Sequence, residues 1–223
     1  MHIHFIIHEA YEAPGAYLLW ANARKYEVSF TKIYEGQLPP GNANDIDLLI
    51  VMGGPQSPHT LKTAKEEIHL IRQCINANKA VVGACLGAQL IGETLGAPYD
   101  HSPQKEIGVL PIELTNAGIK SDMIGHFGAV LDVGHWHYDM PGLTGHCKIL
   151  AKSKGCPRQI IEYTPLVYGF QCHMEFTPEV LALLIANSNE DVIHNPDTDF
   201  TDMNDKLFTF CDKLIAAYAG NKN

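Results

Sequence analysis

The sequence of 223 residues lacks any uninterrupted apolar run of membrane-spanning length, and its apolar N-terminus is too short and too rich in histidine for a signal peptide. Basic residues are also scarce, since 16 Lys and Arg stand against 25 Asp and Glu, for a formal net charge of −9. Neither nucleic acid nor an anionic membrane is expected as a partner, because the acidic surface would repel both. We therefore expect a cytoplasmic protein that acts on a small molecule.

The chain also lacks internal repeats, low-complexity segments and linker-like stretches. Hydrophobic residues make up 46% of the chain and charged residues 18%, which is enough apolar material to bury a full core. We therefore expect residues 1–223 to form a single domain.

Paired cysteine spacing is absent as well. The six cysteines show no C-x-x-C pattern, and the chain is too large to need disulfide bonds for stability, so reduced thiols are expected. Among the 12 histidines, two groups alternate along predicted strands, namely His2, His4 and His8 in one and His135 with His137 in the other. Neither group has a carboxylate or cysteine at metal-ligand spacing, so neither a metal nor another cofactor is predicted.

The order of apolar segments predicts the fold class. Strands are expected near 3–7, 28–34, 46–52, 80–84, 107–114, 130–133, 148–151, 159–163 and 167–172, with helices near 15–23, 61–77, 86–95, 178–187 and 203–219. The first half alternates strands with helices, whereas the second half is mostly strands. This order predicts an α/β protein with an open, mainly parallel sheet in three layers and a small antiparallel extension. The polar segment 195–199 is a candidate flap.

The most informative motif is Gly83–Gly87, in which Cys85 stands between small residues directly after the apolar run 79–82. A G-x-[Ser/Cys]-x-G pattern is typical of a sharp turn from strand to helix that presents a nucleophile. The following helix directs its backbone N–H groups at the sulfur and favours the thiolate. Cys85 is therefore the predicted nucleophile of a cysteine enzyme.

A thiol needs a base nearby, and His173 is the best candidate because it follows the predicted strand 167–172. Glu175, two residues further along an extended segment, is placed to hold the imidazole from behind. The three residues match the nucleophile, base and orienting carboxylate of a catalytic triad. Met52–Pro55 also follows a buried strand, so all these segments are expected at the carboxyl edge of the sheet.

Five motifs in order resemble those of the class I, or triad, glutamine amidotransferases: Met52–Pro55, Gly83–Leu90, Lys105–Gly108, Trp136–Asp139 and Gly169–Glu175. The resemblance covers nearly the whole chain and is greatest to stand-alone proteins similar to the amidotransferase domain of GMP synthase. It implies a flavodoxin-like fold, glutamine or another γ-glutamyl compound as substrate, and a separate synthase subunit or acceptor that receives the ammonia.

The resemblance also implies roles for individual residues. Cys85 would form a γ-glutamyl thioester and release ammonia, with His173 as the base and Glu175 as its orienting group. The backbone N–H groups of Gly54 and Leu86 would form the oxyanion hole. The substrate would be bound by the four remaining positions of these motifs, which are Gln89, Trp136, Tyr138 and Asp139. Glu106 is expected to brace the site.

Three alternatives share these residues. The same triad serves a γ-glutamyl peptide hydrolase, in which an amine leaves instead of ammonia. A catalytically silent binding or regulatory subunit would keep the fold and use its pocket for recognition, although it need not keep all three triad residues. A redox sensor at Cys85 is a further alternative, because an exposed thiolate oxidises readily. One departure from the family pattern is Met174, which stands where the family usually has proline and leaves the backbone between His173 and Glu175 less restrained.

Overall fold

Continuous apolar segments form the strands of one mixed sheet. The computed structural model describes residues 1–190, 192 and 198–221, so most of the predicted flap at 195–199 lies outside the described residues. Nine strands form the sheet within these ranges: β1 (His2–Ile7), β2 (Glu27–Lys32), β3 (Leu48–Val51), β4 (Ala80–Ala84), β5 (Asp100–Leu114), β6 (Val130–Met140), β7 (Lys148–Lys152), β8 (Ile160–Thr164) and β9 (Val167–Phe170).

The parallel part of the sheet has the order β2-β1-β3-β4-β9, which is the flavodoxin-like order. Leu48–Val51 and Ala80–Ala84 are completely buried, as expected for central strands covered on both faces. The chain reverses its direction of strand addition between β1 and β3. Ligands bind beyond the carboxyl ends of the strands at such a point, so a ligand site is expected among the loops after β1, β3, β4 and β9.

The antiparallel extension continues the same sheet in the order β9-β8-β7-β5-β6. Its largest unit is the β5–β6 hairpin, in which Glu106 lies opposite His137 and Gly108 lies opposite His135. Both strands are longer than predicted. Residues 100 and 101 pair with 140 and 139, and after a shift in register residues 106–109 pair with 137–134. This cross-strand hydrogen bonding keeps these polar stretches extended, although the apolar pattern alone did not identify them as strand.

Helices cover both faces of the sheet and complete the predicted three layers. Apolar side chains of α1 (Gly15–Ala23), α5 (Pro178–Ala186) and α6 (Thr201–Gly220) pack in one core, and those of α2 (Ala64–Asn76) and α3 (Leu86–Thr94) in the other. A short helix, α4 (Asn116–Ile119), follows β5. Alternate residues of β3 enter opposite cores, as Leu48 and Leu49 do. Within the described ranges, none of these helices combines the length and the apolar character needed to cross a bilayer.

Local turns explain why two other predicted elements are shorter than expected. The second strand ends at Lys32 because residues 33–35 turn into a single 3₁₀ turn that closes at Gly36. The helix predicted to begin near residue 61 begins at Ala64, because Thr60 and Leu61 fold back onto the carbonyl of Ser57. Local turn hydrogen bonds replace regular structure in both places.

Candidate active site

Cys85 lies at the corner between β4 and α3 with φ of 49° and ψ of −109°, a left-handed conformation that is unusual for a residue with a side chain. The glycines on either side make this corner possible. A Cβ atom on Gly83 would overlap the backbone of Gly87, and one on Gly87 would overlap the carbonyl of Val51. The predicted strand-to-helix elbow is therefore present, and the thiol is 6% exposed.

His173 and Glu175 form a buried pair beside this corner. The two atoms His173 Nδ1 and Glu175 Oε1 are 2.7 Å apart, whereas His173 Nε2 has no hydrogen-bond partner among the described residues. Burial by itself lowers the pKa of His173, but the charge of Glu175 and the nearby sulfur of Cys85 outweigh it, so this pKa lies well above its ordinary value. A thiol, an imidazole and a carboxylate thus lie in the order that acyl transfer by a catalytic triad would use.

The backbone around Met174 is held by hydrogen bonds that substitute for the missing proline. The peptide groups of His173 and Gly134 exchange two hydrogen bonds of 2.7 and 3.1 Å. From the other side, Asn204 Nδ2 donates to the carbonyls of Met174 and Phe176 at 3.1 and 3.0 Å. The sequence pattern did not identify Asn204, because it lies in α6, about thirty residues away from the segment that it braces.

The loop after β3 passes directly over the cysteine. A Cβ atom on Gly53 would lie 3.4 Å from Cys85 Cβ and 3.3 Å from His173 Cε1. The next residue, Gly54, lies so close to Leu86 that an added Cβ would be 2.9 Å from Leu86 Cδ2. The structure therefore brings together the two residues predicted to form an oxyanion hole, of which Leu86 follows Cys85 directly in the chain and Gly54 lines the same pocket as Cys85.

A pocket of about 320 Å³ opens in front of the elbow, a size suited to a small-molecule ligand. Six of the predicted site residues line it: Gly54, Cys85, Gln89, Trp136, Tyr138 and Asp139. The other three, Leu86, His173 and Glu175, are buried behind its wall rather than part of its lining.

The predicted substrate-binding residues differ in what they offer to a ligand. Gln89 Oε1 is buried without a partner in the described part of the chain, so it is available to accept a hydrogen bond. The carbonyl of Trp136 lies 3.9 Å from Cys85 Sγ. Tyr138 is 57% exposed at the rim, and the carboxylate of Asp139 is paired with His101 Nδ1 at 2.6 Å.

Gln171 is a neighbour of the sulfur that sequence reasoning missed. Its Nε2 donates to Cys85 Sγ at 3.3 Å, while its Oε1 accepts from Gln89 Nε2 at 3.2 Å. Gln171 could have been identified from its position two residues before His173, because residues i and i+2 of an extended segment point to the same side.

Two acidic groups near the pocket were also missed. Glu12 lines the pocket, and a Cβ atom on Gly53 would overlap its carboxylate. Burial raises the pKa of Glu12 to about 7, although the nearby His173 and His8 oppose the rise. Glu67 is completely buried and lies 2.9 Å from His8 Nε2. Glu12 and His8, Gly53, and Glu67 belong to three separate segments of the chain, so no local motif connects the two acidic residues to the pocket.

Known proteins resemble this chain over most of its length. Residues 16–188 match the family described as Glutamine amidotransferase class-I. The glutamine amidotransferase-like protein YfeJ of Salmonella typhimurium is 47% identical over 237 aligned positions, which cover 98% of this chain and 99% of that protein. The GMP synthase [glutamine-hydrolyzing] of Ectopseudomonas mendocina is 30% identical over 157 positions. That alignment covers 63% of this chain but 29% of the much longer synthase.

Solved structures share the fold over nearly the full length. The crystal structure of SMU.1228c is 47% identical and superposes with a TM-score of 0.92, covering 96% of this chain and 99% of that one. A glutamine amidotransferase of Thermotoga maritima, at 17% identity, superposes with a TM-score of 0.82 over 96% of this chain and 98% of its own, which shows the same fold. From the family match and the full-length relative together, the chain belongs to the class-I glutamine amidotransferase family.

Proposed function

We propose that this protein hydrolyses the side-chain amide of glutamine and releases ammonia, with Cys85 as the nucleophile. The observation that carries the proposal is the convergence of Cys85, which lies at a strained elbow and lines the pocket, with the His173–Glu175 pair buried behind the pocket wall. The name of the Ectopseudomonas mendocina relative specifies glutamine hydrolysis for that enzyme, and we extend this substrate to the present chain.

The proposed reaction has two steps. His173 takes the proton of the Cys85 thiol as the sulfur attacks the amide carbon, and the carbonyl electrons move onto oxygen. When the tetrahedral intermediate collapses, the C–N bond breaks, His173 protonates the departing nitrogen, and a γ-glutamyl thioester remains on Cys85. Water, deprotonated by His173, then attacks the thioester, which releases glutamate and the thiol. Glu175 keeps the ring of His173 aligned in both steps through the 2.7 Å contact.

The negative charge on oxygen needs donors in both steps. We assign this role to the backbone N–H groups of Gly54 and Leu86, because the two residues lie close together and Gly54 lines the same pocket as Cys85. Removing one donor of this kind from an enzyme costs about 3–4 kcal/mol of transition-state stabilisation. Because the donors belong to the main chain, the geometry of the loop and elbow matters more than the side chain of Leu86.

We assign substrate binding to the pocket wall. Gln89 Oε1 is free to accept a hydrogen bond from the substrate, and the strand segment Trp136–Asp139 would receive its α-amino and α-carboxylate groups. We further propose that residues 1–223 act as one domain in the cytoplasm. The ammonia would pass to a separate synthase subunit or acceptor.

Product analysis tests the proposal. Purified protein is incubated with glutamine and, separately, with γ-glutamyl dipeptides, and ammonia and glutamate are measured. We expect equal amounts of ammonia and glutamate from glutamine, no turnover by Cys85→Ala, and full turnover by the matched variant Cys147→Ala, whose thiol lies elsewhere. Cleavage of dipeptides without ammonia release from glutamine would instead identify a γ-glutamyl peptide hydrolase.

A second measurement separates the enzyme from a silent binding subunit. A glutamine-mimicking electrophile should label Cys85 in the folded protein, as read by peptide mass spectrometry. Absence of labelling at Cys85, both alone and with a candidate synthase subunit present, would contradict the catalytic proposal.

A further inference from the structure

Four polar groups converge on one buried point on the inner side of the β5–β6 hairpin. Glu106 and His137 lie opposite each other across the two strands, His135 is two residues before His137 on the same face, and Gln159 approaches from the start of β8. All four residues are at least nine-tenths buried. The ligand atoms Glu106 Oε2, His135 Nδ1 and His137 Nε2 all lie within 4.8 Å of one another. The hairpin register thus supplies the carboxylate that linear spacing did not reveal.

The separations between these atoms are those of a tetrahedral metal site. His135 Nδ1 is 3.3 Å from His137 Nε2, and Glu106 Oε2 is 3.7 and 3.6 Å from these two nitrogens. The fourth corner is Gln159 Nε2, which lies 2.9 Å from Glu106 Oε2, 3.2 Å from His135 Nδ1 and 3.1 Å from His137 Nε2. Four ligands held at about 2.0–2.1 Å around Zn²⁺ are about 3.3–3.4 Å apart, so a point at the centre would be at bonding distance from all four.

The tautomer of His135 leaves one ring nitrogen available to bind a cation. His135 Nε2 lies 3.2 Å from the carbonyl of Leu110, which can only accept, so Nε2 carries the proton and Nδ1 directs a lone pair into the cluster. A metal-bound histidine commonly donates its second N–H to a backbone carbonyl in this way.

The carboxylate is oriented by two further donors. Glu106 Oε1 accepts from the N–H of Gly155 at 3.0 Å, and Oε2 accepts from the hydroxyl of Ser153 at 2.6 Å. Hydrogen bonds of this kind fix ligating carboxylates in known metal centres.

The amide of Gln159 provides a separate indication. Its Nε2 has two hydrogens but stands within hydrogen-bond distance of four groups, Ser153 Oγ at 2.9 Å being the fourth, whereas its Oε1 is buried without a partner among the described residues. Amide nitrogen and oxygen are exchanged by a half-turn of the side chain. After this turn the oxygen faces the same atoms, and a central cation would satisfy all of their lone pairs together.

We propose that Glu106, His135, His137 and the amide oxygen of Gln159 form a structural site for Zn²⁺. The ligands are the nitrogen and oxygen donors that zinc accepts in tetrahedral coordination, and four protein ligands leave no position for a reactive water. The ion would join β5, β6 and the start of β8. Because Gly134 of β6 also pairs with His173, the ion would stabilise the strand on which the catalytic histidine rests.

Metal analysis of the protein tests the site without reference to enzymatic activity. Tag-free protein is stripped with a chelator, dialysed against Zn²⁺ and freed of excess metal by gel filtration. We expect about one zinc per chain. X-ray absorption of this wild-type sample should show two imidazole nitrogens and two oxygens at about 2.0–2.1 Å. Zinc retained at well below one per chain, or a coordination shell without imidazole, would overturn the proposal.

Variants separate this site from adventitious binding by the other histidines. Glu106→Gln should lower zinc affinity at least about 100-fold, because the one charged ligand is lost. Glu113→Gln, which removes an exposed carboxylate on the same strand, should bind zinc as the wild type does. Equal zinc retention by Glu106→Gln and the wild type would refute the site. If Glu106→Gln does not fold, as judged by circular dichroism, the absorption spectrum of the wild-type protein decides the question.

Discussion

His8 Nδ1 donates a hydrogen bond of 2.9 Å to the carbonyl oxygen of Gly53, and the other ring nitrogen of His8 lies 2.9 Å from the carboxylate of Glu67. A carbonyl oxygen and a carboxylate can only accept, so both ring nitrogens of His8 donate. Burial by itself lowers the pKa of His8, but the contact with Glu67 outweighs it and the net shift is upward. In a trans peptide the carbonyl and the following N–H point in opposite directions. Anchoring the oxygen of Gly53 therefore fixes the direction of the N–H of Gly54, the proposed oxyanion donor.

Replacement of His8 by glutamine, whose amide can take the place of Nε2 beside Glu67 but leaves no donor at the position of Nδ1, is expected to lower kcat for glutamine hydrolysis by roughly 10- to 100-fold with little change in KM. The freed peptide can rotate, and the donor that it carries acts mainly in the transition state. The control is His4→Gln on β1, the strand that precedes His8, where the affected partners are the hydroxyls of Ser29 and Thr31. Steady-state kinetics of both variants decide the point. Equal kcat values in the two variants would show that His8 does not position the loop.

The backbone of Cys85 is strained, so a variant that relieves the strain should be more stable although it is inactive. Glycine adopts φ of 49° at little cost, whereas any side chain there costs about 1–2 kcal/mol. Cys85→Gly should therefore be about 1–2 kcal/mol more stable than Cys85→Ala, and both should be inactive. Urea denaturation measures the free energy of unfolding of each variant. A more stable alanine variant would mean that the elbow carries no strain.

Gln171 is expected to control the reactivity of the thiol through its 3.3 Å contact with the sulfur. Gln171→Glu keeps the shape of the side chain but places a carboxylate beside Cys85, which disfavours the thiolate. The rate of alkylation of Cys85 by iodoacetamide at neutral pH should fall about ten-fold or more. Peptide mass spectrometry follows Cys85 separately from the other cysteines. Gln37→Glu adds the same charge on an exposed residue and should leave this rate unchanged.

The parts of the site that could be predicted are those encoded by short patterns. Cys85 and His173 each follow an apolar strand closely, and parallel strands deliver such residues to one edge of the sheet. Glu175 is found from His173 because the two are near neighbours along an extended segment. The fold class followed from the same alternation of apolar strands and helices, and it is confirmed.

The parts that could not be predicted depend on register and on long-range pairing. Glu106 meets His137 only because the β5–β6 hairpin aligns them, and the apolar pattern ended both strands before this pair. His8 and Glu67 are 59 residues apart in the chain, on a strand end and a helix of a different layer. Their partnership depends on how α2 packs against the sheet. Side-chain partners of this kind leave no periodic signal in the sequence.

Glu12 predicts a pH dependence whose sign is opposite to that of most carboxylates. Burial raises its pKa from 4.5 to about 7, so between these values the folded protein binds a proton that the unfolded chain has released. The free energy of unfolding therefore falls as the pH rises through this interval. Glu12→Gln resembles the protonated acid and avoids the loss. It should match the wild type near pH 4.5 and exceed it by roughly 1–3 kcal/mol at pH 8, since one pKa unit corresponds to about 1.4 kcal/mol. Urea denaturation at both pH values measures the difference, with Glu9→Gln as the control for general removal of negative charge. A difference between Glu12→Gln and the wild type that is the same at both pH values would show that Glu12 titrates normally in the folded protein.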